Sequence, residues 1–256
     1  MGTRRSITAS LGVLVAALAV AAAVGSGGAG ANGANASGAR LPQGSEPVHL
    51  NPADFTTVID NPYWPMRPGS RWVYRETDPQ GTKLRVVVTV TRKTKVIANG
   101  VTARVVHDIV SENGKLVEVT DDWYAQDRAG NIWYLGEATK EYENGKVKTT
   151  GGSFEAGVDG AQAGIAVPAK PKLGMRYRQE YYAGEAEDRA EVFSLTEQVE
   201  VPFGHFGNVL MTRDLNPLKP KILEYKFYAR GIGPVLVVGI SGGSDREELV
   251  RYTKGR

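Results

Sequence analysis

From Arg71 onward the chain alternates. Leu84, Val86, Val88 and Val90 take every second position, with Arg85, Thr89 and Thr91 between them, and Val87 interrupts the polar side. A period of two at this density of β-branched residues predicts strands. Turn chemistry punctuates the alternation. Asp78-Pro79-Gln80-Gly81 places Asp, Pro and Gly as a type I turn requires. Asn99-Gly100, Asn113-Gly114 and Asn144-Gly145 supply the positive φ angles of two-residue hairpin loops. Arg128-Ala129-Gly130 makes a further reversal. Together these predict an antiparallel meander over 71–150. Ahead of it, Asn51-Pro52-Ala53-Asp54-Phe55 reads as a short helical turn capped by Asn51. Asn61-Pro62 and Trp64-Pro65 then hold the chain extended.

The pattern recurs. Gly69-Ser70-Arg71-Trp72 opens the first run, and 105 residues later Gly174-Met175-Arg176-Tyr177 opens a second. Trp72 maps to Tyr177, Thr91 to Thr196 and Val96 to Val201. After one-residue slips, Trp123-Tyr124-Ala125 maps to Phe227-Tyr228-Ala229, and 132–136 to 235–239. Between the copies, 151–172 is rich in Gly and Pro and reads as a joining connector. The expected fold class is mainly β: antiparallel meanders in two similar halves, forming one curved sheet, half-barrel or sandwich.

The 256 residues divide into a signal peptide at 1–31, a flexible linker at 32–50 and a single β domain at 51–256, with repeats at about 69–137 and 174–240. Arg4 and Arg5 precede an uncharged apolar run at 11–24, which is too short to span a bilayer but suits an export signal. General secretion is favoured over the twin-arginine route, because the Arg pair lacks the lysine that usually follows. A secreted or envelope-associated protein without a transmembrane segment is expected. The formal charge of +3 resides in the N-terminal region: without Arg4, Arg5 and Arg40, the remaining 28 basic residues balance 28 acids. This removes the compositional argument for nucleic acid as a partner. There is no cysteine, so neither a disulfide nor a thiol nucleophile is available.

The blocks Asn61-Pro62-Tyr63-Trp64, Asp122-Trp123-Tyr124-Ala125-Gln126-Asp127, Gly130-Asn131-Ile132-Trp133-Tyr134 and Tyr181-Tyr182-Ala183-Gly184-Glu185-Ala186-Glu187-Asp188 resemble an uncharacterised family of exported bacterial proteins, over about 60–240. More loosely, the meander resembles the half-barrels of lipoprotein-localisation factors. That resemblance implies an apolar cavity for acyl chains.

Catalytic motifs are absent: no Gly-x-Ser-x-Gly elbow, phosphate-binding loop or metal-ligand spacing appears, and no cofactor or metal is expected. One cluster invites arithmetic. A two-residue loop at Asn113-Gly114 puts His107 opposite Thr120, with Glu118 and Asp122 diagonal to it on the same face. That trio could act in acid–base or metal chemistry, or could simply form a solvated polar ladder. A one-residue register slip would dissolve it. Trp72, Trp123, Tyr177 and Phe227 are expected to face the interior, as core or as the lining of a ligand groove, with Tyr124 and Tyr228 on the opposite side. His205 is expected in a turn, and Glu185, Glu187 and Asp188 at a solvated hairpin tip, where calcium is a remote alternative. The leading expectation is therefore a non-enzymatic protein binding a lipid or other amphipathic small molecule between its halves. The alternatives are a module recognising a glycan or protein, and a metal-dependent hydrolase.

Overall fold

The structure is a computed structural model that describes residues 40–256. The expected signal segment and the linker up to residue 39 lie outside the described residues. A single 3-10 turn, Pro52–Asp54, begins the order, with the Asn51 side chain accepting from the Ala53 N–H. Sixteen strands follow: β1 (Phe55–Thr56), β2 (Arg71–Thr77), β3 (Lys83–Val96), β4 (Thr102–Glu112), β5 (Lys115–Asp127), β6 (Ile132–Glu143), β7 (Lys146–Thr149), β8 (Phe154–Glu155), β9 (Gln162–Val167), β10 (Arg176–Arg178), β11 (Glu180–Tyr181), β12 (Arg189–Val201), β13 (Gly204–Leu215), β14 (Leu223–Ala229), β15 (Gly233–Ser241) and β16 (Arg246–Thr253).

All ladders are antiparallel, and the sheet runs β10-β12-β13-β14-β15-β16-β2-β3-β4-β5-β6-β9-β11. Its two ends, β10 and β11, are separated in the chain by Gln179 alone. The sheet therefore curls until its edges meet at one residue, giving a nearly closed barrel. Closure removes the exposed edges that an open sheet of this size would present. The stretch 69–137 supplies the meander β2 to β6, and 174–240 supplies β10 to β15, of which β11 pairs at the opposite end of the sheet.

The turns explain the strand order. Asn113 (φ 49°) and Gly114 (φ 78°) form the two-residue loop between Glu112 and Lys115. Asn144 and Gly145 do the same between β6 and β7. The Asn99-Gly100 loop differs from expectation. Ile97 and Val101 bracket three residues, and only Gly100 takes a positive φ, as in a type I turn completed by a left-handed glycine. The connector 151–172 is also more than a joiner. Its Gln162-Ala163-Gly164-Ile165-Ala166-Val167 segment is β9, which fills the seam between β6 and β11. Gly164 is needed there, because a Cβ would lie 2.3 Å from the Gln179 carbonyl.

Residues 41–48, part of the expected flexible linker, lie against the barrel. The buried Arg178 guanidinium donates to the Gly44 and Glu46 carbonyls and, 3.0 Å away, to Ala163. The Arg178 N–H donates to Pro42. A buried guanidinium needs such acceptors, and the segment provides them.

Directly paired residues share a sheet face. Thr212, Lys226, Val237, Glu247 and Glu76 form one inward row across β13 to β16 and β2. Val88, Asp108, Thr120 and Thr139 form another across β3 to β6. Among the outward residues of β5 and β6, Trp123 and Trp133 are buried as well. Phe55 packs edge-on against Trp133 at 6.0 Å, and the Lys95 ammonium sits 4.5 Å from the Trp123 ring centre.

Candidate functional site

The barrel interior is the candidate site, and it has two ends. The aromatic end is built by the loop 59–66, which is closed on itself by the Ile59–Met66 bridge. Its Trp64 ring sits between Tyr124 on β5 (5.4 Å) and Tyr228 on β14 (6.2 Å). The loop is anchored on both sides. Asn61 donates to the Gly130 and Pro168 carbonyls, Gln126 accepts from the Asp60 and Asn61 N–H groups, and Gly231 N–H donates to Pro62. Arg230 donates to the Tyr63 hydroxyl at 2.8 Å. Gly233 (φ 114°) leaves room for the Trp64 ring, which a Cβ would meet at 2.4 Å. A cavity of about 20 Å³ remains beside Trp64, bordered by Tyr124, Gln179, Lys226 and Tyr228. That is space for about one water molecule.

The other end is acidic. Along β5 the inward positions are Glu118, Thr120, Asp122 and Tyr124, and along β14 they are Glu224, Lys226 and Tyr228. Alternate residues on a strand lie about 7 Å apart, so carboxyls begin one step below the rings. Glu76, Asp108, Glu137, Glu180, Asp188, Asp214 and Glu247 are buried in the same layer. A hydrogen-bonded chain links β5 to β6. The Tyr134 hydroxyl lies 2.9 Å from Asp122 and 2.6 Å from Glu137. Thr139 donates to Glu137 at 3.1 Å and contacts Thr120 at 2.9 Å, and Thr120 reaches Glu118 at 3.4 Å. A tyrosine hydroxyl carries one hydrogen and cannot donate to both carboxyls. The arrangement therefore places a proton on Asp122 or Glu137, donated back to the Tyr134 oxygen.

Electrostatics agree with that bookkeeping. Burial pushes Glu118 up to about 8, aided by the Glu141 charge. Asp122 rises to about 7, again chiefly through burial. Asp188 and Glu224 also reach about 7 through burial, with Lys226 pulling the other way. Asp108, Glu137, Glu180 and Glu247 are raised by burial and then by one another or by neighbouring acids. Lys226 is a buried cation of the layer, 2.9 Å from Asp214, and the half-buried Lys219 also draws Asp188 down. Both carboxyl oxygens of Glu180 and of Glu247 are buried without a hydrogen-bond partner among the described residues.

The candidate trio is not brought together. The two-residue loop is as expected, but a bulge between Val110 and Ser111 shifts the register beyond it by one, so His107 pairs with Asp121. His107 hydrogen-bonds Asp121 at 2.6 Å on the partly exposed outer face, while Glu118 and Asp122 point inward. Among the described residues no group of three or more His, Asp or Glu is placed to hold a metal ion. The aromatic alternation holds with its sides exchanged at the second pair. Trp72 and Tyr177 face inward, but so do Tyr124 and Tyr228, which puts Trp123 and Phe227 on the outer face. His205 lies in β13 opposite Glu200 rather than in a turn, and Asp188 is buried rather than solvated. The inward acids left a legible trace that was missed: Glu118-x-Thr120-x-Asp122-x-Tyr124 and Glu224-x-Lys226-x-Tyr228 repeat one polar-to-aromatic order at strand spacing.

No family model matches the chain, and no curated protein matches it. A crystal structure from Parabacteroides distasonis, described as a "putative lipoprotein", is similar at 12% identity with a TM-score of 0.41, covering 75% of this chain and 98% of that one. No helix among the described residues is long and apolar enough to cross a membrane.

Proposed function

We propose that this chain is an exported, non-enzymatic barrel protein that holds an amphipathic ligand, with the ligand's cationic head against the carboxyl layer and its apolar part against the Trp64 end. The carrying observation is the division of one interior into rings and carboxyls about 7 Å apart. The carboxyls greatly outnumber the buried Lys226. Burying that many acids is costly unless they are protonated or paired with a cation. An ammonium group would supply donors to Glu180 and Glu247. Export rests on Arg4, Arg5 and the apolar run 11–24.

Beside Trp64 there is room for about one water in the closed arrangement, so a ligand entering at that end needs the loop 59–66 to withdraw Trp64. Surface recognition of a glycan or protein has less behind it, because Trp64, Trp72, Trp123 and Trp133 are all buried. A hydrolase loses its histidine to the outer face. Native mass spectrometry of protein purified from its own envelope tests the reading. A co-purifying amine-bearing amphiphile, lost on Trp64→Ala or Glu247→Gln substitution, is expected. A neutral or acidic lipid retained by both variants would overturn it.

A further inference from the structure

A second site lies outside the barrel. A groove of about 390 Å³ runs where Gln43 meets β10, β12 and β13, lined by Arg176, Arg189, Glu191, Arg213 and Leu215. Its volume falls within the range of small-molecule sites. Arg176, Glu191 and Arg213 are direct cross-strand neighbours. Both arginines bond the same Glu191 oxygen, Arg176 Nε at 3.1 Å and Arg213 Nη2 at 2.7 Å. On the opposite half, Glu248 gives one oxygen to Arg75 and the other to Arg246. Sharing one oxygen leaves most N–H groups of both forks uncommitted, and Arg213 Nε is buried without a hydrogen-bond partner among the described residues. Arg189 is exposed, and its side chain makes no hydrogen bond or ion pair among them. Three guanidinium groups against one carboxylate leave two positive charges facing the groove. Arg213 and Arg176 more than offset the effect of burial and hold the Glu191 carboxyl below its ordinary range, so it stays ionised and orients the forks. Gln43 closes one wall by donating to the Leu41 and Arg176 carbonyls.

We infer that this groove binds a phosphate ester, through Arg189 and the uncommitted N–H groups of Arg176 and Arg213. Guanidinium forks match phosphate oxygens two at a time, and the half-exposed Leu215 offers an apolar wall to the esterified part. The inference is independent of the interior reading. It is tested by calorimetric titration of the full chain with glycerol phosphate, and by flotation with vesicles of phosphatidylglycerol or of phosphatidylcholine. Arg189→Gln is expected to weaken the phosphate ester about tenfold, the worth of one charge-assisted hydrogen bond. Arg213→Lys, which keeps the charge but loses the fork, is expected to weaken it comparably. Both variants should melt like the native chain. Binding of glycerol phosphate identifies a soluble ester as sufficient. Binding only to phosphatidylglycerol vesicles, with the same dependence on Arg189 and Arg213, identifies a lipid headgroup. No binding to either probe, or binding indifferent to both substitutions, overturns the proposal.

Discussion

Replacing Glu118 by Gln should stabilise the protein above neutral pH and leave it nearly unchanged at pH 5. The Glu118 carboxyl is raised to about 8, first by burial and then by Glu141. In the unfolded chain it returns to 4.5. Between those values the folded state holds a proton that the unfolded state has lost. Stability from this group is therefore complete below about pH 4 and falls as pH rises through about 8. At about 1.4 kcal/mol per pH unit, the displacement from 4.5 to about 8 corresponds to at most about 5 kcal/mol. Neighbouring acids compete for the same protons, so the realised figure is smaller. Asp122, Asp188 and Glu224, each raised to about 7, act in the same direction, their contribution falling as pH rises through about 7. Glu46, Glu191 and Glu248 are displaced downward, so their stabilisation is lost only at more acid pH. A glutamine mimics the protonated acid in size and carries no charge to bury. Urea unfolding at pH 5, 6, 7 and 8.5 should show native stability falling by about 1 kcal/mol or more per pH unit. The Glu118→Gln chain should exceed it by about 2 kcal/mol or more at pH 8.5 and match it within about 1 kcal/mol at pH 5. Native stability that is flat or rises from pH 5 to 8.5, or a variant that follows the native curve, would refute the buried-carboxyl interior.

Other substitutions probe separate joints. Gly164→Ala puts a Cβ 2.3 Å from the Gln179 backbone and should cost about 3 kcal/mol by forcing the seam apart, whereas Gly207→Ala, which meets nothing within 4 Å, should be nearly neutral in the same unfolding assay. Gly233→Ala should dislodge Trp64, read as a red shift of tryptophan emission with a lowered melting temperature; unchanged emission would show that the ring is not held there. His107→Ala should alter stability by no more than about 1 kcal/mol, because its pair with Asp121 is partly exposed. A loss of several kcal/mol would mean that His107 is buried.

Much of the fold could be read from the chain. The period-two pattern and the turn residues at 78–81, 99–100, 113–114 and 128–130 placed the meander that becomes β2 to β6, because local turn chemistry does not depend on what lies across the barrel. The failures are non-local. Gln162 to Val167 looked like connector, since a six-residue strand rich in Gly and Ala has little alternation to show, and its partners lie up to 35 residues away along the chain. The side on which Trp123 and Tyr124 fall could not be decided from hydrophobicity, because Lys95 covers Trp123 and Phe55 covers Trp133 on the outer face as well. The bulge at Val110 was invisible, and it alone separates His107 from Glu118 and Asp122. Arg178 gave no sign that its partners would be carbonyls of residues 44 and 46.

The proposed preference of the interior for an amphiphile with a cationic head can be measured by calorimetric titration of the native chain below the micellar range, with an n-alkylammonium and an n-alkyl sulfate of equal chain length. One alkylammonium should bind per chain, more tightly at pH 8 than at pH 5 and with proton release, because the cation draws protons off Glu180, Glu247 and their neighbours. Equal affinity for the alkyl sulfate, or alkylammonium binding that does not change with pH, would contradict it.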